Sequence, residues 1–200
     1  MLRNSVLVIA VLTAAGGGTA AHAQSHASAA EEERRVQAAV LDSFFTRSDT
    51  KLLVLLDSTV RGSDHFVDKD YASALQTLGD LPEGLREDFA EKRKYRARLR
   101  DIPARVPVVF FSGRDLAEIG RGATNPDSYW RRFYSRFPAS SGRLAVSRVG
   151  FSRDGRHALM LVDYGCGGRC GGTVYYLLEK RTNTWQTIRV GQPRISYGAV

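Results

Sequence analysis

The chain has 200 residues, 43% of them hydrophobic and 25% charged, with a formal net charge of +8 at pH 7. That is enough chain and enough apolar content for one domain with a real core, and it excludes a disordered or fibrous polymer. The basic excess invites a nucleic-acid reading, but 24 of the 29 basic residues are arginines scattered through every segment, without the clustering and interleaved aromatics that a groove needs. A generally basic surface suited to an anionic envelope component or a protein partner remains.

In chain order, residues 1–23 come first. Arg3 gives a positive start, Val6 to Ala15 is apolar or small apart from Thr13, and Ala21-His22-Ala23 is a small-x-small cleavage site. This is the layout of a secretory signal peptide. Its apolar run is about half of the ~20 residues a spanning helix needs, so no transmembrane segment is expected after cleavage. Gln24, and not a cysteine, follows the site, which argues against a lipid anchor. The expected organisation is a signal peptide (1–23), a flexible leader (24–30) and a single α+β domain (31–200), periplasmic or secreted.

Ser28 to Glu31 has capping-box spacing, Glu31 and Arg35 form an i,i+4 pair, and Val36, Val40, Leu41, Phe44 and Phe45 mark one apolar face. These predict a helix over Glu31 to Arg47. Leu52 to Leu56 is a short buried strand. Arg61 to Asp80 alternates turn formers with charges and yields no assignment. Leu81-Pro82-Glu83 opens a helix that should reach about Arg100, with apolar pairs Leu85/Phe89 and Tyr95/Leu99. Its basic residues, Lys92 to Arg100, read as a solvated face or an anion-binding one.

Val106 to Phe111 is a strand, and Ser112 caps a short helix from Gly113 to Ile119. Asn125-Pro126-Asp127 starts another helix, with a capping side chain, proline at the first position and an acid at the positive dipole end. Trp130, Phe133, Tyr134 and Phe137 form its buried stripe, and Pro138 stops it. The period then becomes extended. Leu144 to Ser152, His157 to Tyr164, Thr173 to Leu178 and Trp185 to Val190 are four strands joined by short turns, including Asp154-Gly155. The predicted fold is α+β: a C-terminal four-stranded antiparallel meander packed by helices from the N-terminal two-thirds.

Chemistry-bearing patterns are few. His65 and His157 lack a second ligand at helical or hairpin spacing, and His157 in its turn reads as a surface residue, so no metal or cofactor is expected. Gly-x-Ser-x-Gly is absent, and Ser112 is explained as a cap. Asp57, Asp64, Asp68 and Asp163 cannot be sorted into an acid–base pair without geometry. The glycine-rich Gly165 to Gly172 lacks the Lys-Ser/Thr of a phosphate loop. No residue is assigned a catalytic role.

The chain's two cysteines, Cys166 and Cys170, sit in Cys-Gly-Gly-Arg-Cys. In an oxidising compartment they are expected to form a disulfide that pins the loop, contributing about 2 kcal/mol for so short a ring. The competing thiol-redox reading rests on Arg169 beside Cys170, but lacks Cys-x-x-Cys spacing and a helix N-terminus to stabilise a thiolate.

Trp130 to Tyr134 with Phe137-Pro138, Ser147 to Ser152, Cys166 to Gly172, Tyr175 to Leu178 and Trp185 together resemble a group of uncharacterised exported bacterial proteins. The resemblance implies a shared fold for roughly Trp130 to Ser196 and no reaction; the first half shares only the helix–strand–helix order. The expected function is a noncatalytic exported domain that binds a partner or ligand, with Asp163, Tyr164 and Arg169 beside the cysteine loop as the candidate surface. The alternative is an envelope enzyme, either a thiol oxidoreductase using Cys166 and Cys170 or a hydrolase with a dispersed site.

Overall fold

The computed structural model describes residues 18–44, 50–61 and 71–191. Their elements are α1 (Gly18–Phe44), β1 (Leu52–Leu56), α2 (Tyr71–Thr77), α3 (Leu85–Lys92), β2 (Val108–Phe111), α4 (Gly113–Gly120), α5 (Pro126–Arg136), β3 (Ser140–Val146), β4 (Gly150–Phe151), β5 (His157–Gly167), β6 (Cys170–Arg181) and β7 (Thr184–Gly191).

The α+β class holds, but the sheet is seven-stranded and mixed, in the order β2-β1-β3-β5-β6-β7 with β4 paired to β5. The expected meander is its β3-β5-β6-β7 portion, antiparallel at each pairing. It is not a free-standing sheet, because β1 runs parallel to both β3 and β2 and extends it on one side. The uninterrupted apolar run of Leu52 to Leu56 suits such a strand, which must be covered on both faces.

The two faces are covered by different helices. On one, Val36, Val40 and Leu41 of α1 bury against Leu53, Leu55 and Met160. On the other, Leu75 and Phe89 from α2 and α3 pack on Leu161 and Tyr175, while Phe133 and Phe137 at α5 pack on Val54 and Phe111. The stripe predicted for α5 is therefore half right. Phe133 is fully buried and Phe137 nearly so, but Trp130 and Tyr134 stay half-exposed at the margin of the sheet.

Several boundaries differ from expectation. Helix α1 begins at Gly18, so Ser28 lies inside it and is not its cap. The alanine-rich stretch before Glu31 favours this continuation, since alanine has the highest helix propensity. Phe45 and Arg47 lie outside the described residues, as do 62–70 within the unassigned segment, whose other half contains α2. Glu32 fastens α1 to the sheet by accepting from Trp185 Nε1 (2.8 Å) and pairing with Lys180 (2.6 Å), and Glu33 pairs with Arg148 (2.5 Å).

Helix α3 ends at Lys92, well short of Arg100. The chain after it is captured by the segment leaving β1: Thr59 N donates to Ala97 O, Ala97 N donates to Thr59 Oγ1, and Leu99 N donates to Asp57 O. Backbone pairing thus replaces the expected helix, with Leu99 buried and Tyr95 60% exposed. Leu144 to Ser152 is likewise two strands and not one, because Ser147 leaves β3 to bridge Val60. The caps predicted at Ser112 and Asn125 are both present as reciprocal capping boxes.

Candidate functional site

The β5–β6 hairpin carries the candidate site at its distal end. Its register pairs Asp163 with Thr173, Tyr164 with Gly172 and Gly167 with Cys170, leaving Gly168 and Arg169 at the tip. Cys166 and Cys170 lie at disulfide distance with their Cα atoms 5.0 Å apart, within the span such a bond allows. The cysteines thus close the end of two long strands, whereas the sequence placed them in a hairpin loop between shorter strands ending at Tyr164 and beginning at Thr173.

Helix α5 clamps this end. Tyr134 Oη donates to the Cys166 carbonyl (2.9 Å), and the α5 N-terminus meets the tip where Gly168 faces Pro126 and Asp127. Two glycines permit the approach. A Cβ on Gly165 would stand 3.2 Å from the Trp130 ring, and Gly142 has φ +135° with the Gly165 carbonyl pressed against it. Between helix and hairpin lies an open groove of about 570 Å³, lined by Trp130, Tyr134, Asp127, Arg131 and the backbone of Gly167 and Gly168. The two rings are 5.7 Å apart and inclined by 32°.

The three surface candidates do not share one face. Successive strand residues point to opposite sides of a sheet. Tyr164 packs with the α1-side core, whereas Asp163 lies on the α5 side, and Arg169 is exposed at the tip. Burial pushes the Asp163 carboxyl upward from the usual aspartate range, and the Arg143 charge and the Thr173 hydroxyl offset part of that rise. The Thr173 Oγ1 contact is long, at 3.3 Å. Burial also raises the Tyr129 hydroxyl, again opposed by Arg143, and its oxygen has no hydrogen-bond partner.

Arg143, Tyr129 and Thr173 were not singled out as site residues by the sequence. Counting the hairpin outward from its tip would have put Val174 opposite Asp163; the register shift between Gly165 and Gly167 brings Thr173 there instead, and no sequence signal brings α5 or β3.

A second cleft, of about 260 Å³, lies between Pro82-Glu83 and the β4–β5 turn. Ser152 Oγ donates to Asp154 Oδ1 (2.6 Å) and accepts from His157 N (2.9 Å). This is turn closure, not an activated nucleophile, since the serine is bonded to the histidine's backbone and is only 6% exposed. His157 is not the surface residue expected: it is half-buried, and its Nδ1 is enclosed without a partner.

Among the described residues no three His, Cys, Asp or Glu side chains gather as a metal site, and no helix is long and apolar enough to cross a membrane. Compared with protein-family models, with curated proteins and with solved structures, the chain matches none.

Proposed function

We propose that the protein is an exported, noncatalytic binding domain, cleaved after Ala23, that holds a partner or ligand at the α5–hairpin end of its sheet. The observation that carries this reading is the open groove between α5 and the cysteine-closed hairpin, where half-exposed Trp130 and Tyr134 lie beside Arg131 and glycine backbone. Aromatic rings with arginine are the side chains that dominate binding hot spots. A net charge of +8 favours an anionic envelope component as the partner. The signal-peptide layout of residues 1–23 supports this location.

The test is cosedimentation of the mature chain with purified anionic envelope polymers, comparing wild type with Arg131→Ala and Trp130→Ala. Retention by the wild type, reduced roughly tenfold by either change, is expected for a hot-spot anchor. A substrate survey showing turnover that a single groove substitution abolishes would replace the binding reading with an enzymatic one. Intact-mass analysis of exported protein should give Gln24 as the first residue; retention of Met1 would remove the compartment argument.

A further inference from the structure

We propose that the occupant of the α5–hairpin groove is an acidic glycan, a chain of pyranose rings carrying carboxylates, with sugar rings stacked on Trp130 and Tyr134 and the charge met at Arg131. Asp127, Trp130, Arg131 and Tyr134 follow one another at i, i+3, i+4 and i+7. A single stripe of α5 therefore forms one wall of the groove, and the backbone of Gly167 and Gly168 forms the other. A space of about 570 Å³ with apolar rings and a few convergent polar groups is the make-up of a ligand site. The rings are held before anything binds. Tyr134 is pinned through its hydroxyl to the Cys166 carbonyl, and Trp130 lies close over Gly165. Trp130 also makes T-shaped contacts with Tyr129 and Phe133, with ring centroids 5.3 Å apart in each pair. Rigid anchors lower the ordering cost of association.

The polar groups select the class. Asp127 and Arg131 are exposed and one helical turn apart, and among the described residues neither side chain makes a hydrogen bond or ion pair. The indole N–H of half-exposed Trp130 is likewise unbonded. The groove thus offers a carboxylate that only accepts, and a guanidinium and an indole that only donate. A matching occupant brings hydroxyl donors for Asp127, an anion for Arg131 and an apolar ring face for the two aromatics. A uronic-acid sugar carries all three. A polynucleotide brings rings and anions, but Asp127 repels its phosphates. An acidic polypeptide cannot add to the sheet here as a strand, because β5 is paired on both edges at Gly165, to Arg143 and to Gly171. The inference rests on the binding reading and deepens it by naming the polymer.

The experiment follows the indole N–H resonances of the full mature chain, whose two tryptophans are Trp130 and Trp185, at constant ionic strength. Oligogalacturonate, hyaluronan oligosaccharides, polyglutamate, dextran and oligothymidylate are added in turn. At least one of the two acidic glycans should shift Trp130 saturably, and bind roughly tenfold or more tighter than the other three polymers. Trp185, buried and bonded to Glu32, should not move and serves as the internal reference. Arg131→Ala should weaken glycan binding roughly tenfold, the loss expected of a hot-spot anchor. Asp127→Ala should also weaken it several-fold, by removing the acceptor for sugar hydroxyls. A purely electrostatic contact gives the opposite sign, since loss of a negative charge strengthens the attraction for any polyanion.

Dextran, polyglutamate or oligothymidylate binding at Trp130 as tightly as the acidic glycans, or tighter glycan binding by Asp127→Ala, overturns the glycan proposal and leaves the groove reading in place. A Trp130 resonance that none of the five polymers moves overturns both.

Discussion

The two ends of the β5–β6 hairpin are built from the same pair of strands and differ in almost everything else. At the inner end, Leu159 to Val162 face Val174 to Leu177, and α1 on one side and α2 with α3 on the other remove them from water. At the distal end, Asp163 to Gly172 is glycine, aspartate, tyrosine, arginine and cysteine, flanked by β3, touched by α5 and tied by two cysteines. The inner end is held by apolar burial, which is non-directional and large. The distal end is held by backbone ladder pairing with little apolar burial, by one side-chain hydrogen bond from α5, by close glycine contacts and by a local clamp.

The sharpest way to break this contrast is to weaken each end in turn. Leu161→Ala, at a residue with no exposure, should cost about 3 kcal/mol in urea unfolding, from lost burial and a residual cavity. Replacing Cys166 and Cys170 together by serine should cost about 2 kcal/mol or less, because so short a ring restricts little of the unfolded chain. A cysteine loss equal to the leucine loss would mean that the distal end is part of the cooperative core. If the cysteines instead serve redox chemistry, the pair should show a reduction potential well above the roughly −300 mV of stable structural bonds.

Ser112→Ala lies in neither end and serves as a reference. It removes the hydroxyl that accepts from Asp115 N at 3.2 Å and should cost about 1 kcal/mol. The measurement is the thermal unfolding midpoint of this variant beside wild type, which should fall by a few degrees.

The smallest expected effect is electrostatic and has opposite signs in different regions. The Asp163 carboxyl is raised by burial, so the folded state binds its proton more tightly than the unfolded one. Its contribution is therefore present below the usual aspartate pKa and is lost as pH rises through the folded value. Burial also acts to raise Glu32 between α1 and β7, but hydrogen bonds from Lys180 and Trp185 outweigh it and hold the carboxyl below its usual range. Its contribution is present above that range and fades as pH falls through the lowered value. Asp163→Asn should flatten the decline in stability on the rising side of about pH 4 and leave the acid-side loss in place. An unchanged pH profile would remove the buried-carboxyl argument.

The sequence by itself determined the local punctuation and one face of nearly every element. Ser112 and Asn125 cap helices wherever they fold, because the cap is a bond to an amide three residues away. The span of β1 and the β5–β6–β7 order were also legible, since a buried apolar run and short turns are local signals. Asp163 was visible as a residue, but not as a buried one.

Everything that depends on which distant segment arrives was decided only by the tertiary structure. Helix α3 stops early because Thr59 and Asp57 take the backbone groups that a longer helix would have used. The sheet is mixed because β1 finds β3, and hydrophobic periodicity specifies that a strand is buried without naming its neighbour. Arg143, Tyr129 and Asp163 come from β3, α5 and β5 and meet only when α5 closes over Gly165. Each is ordinary in its own segment. The polar cluster exists because strand pairing and the docking of α5 bring a guanidinium, a phenol and a carboxyl to one face of the sheet.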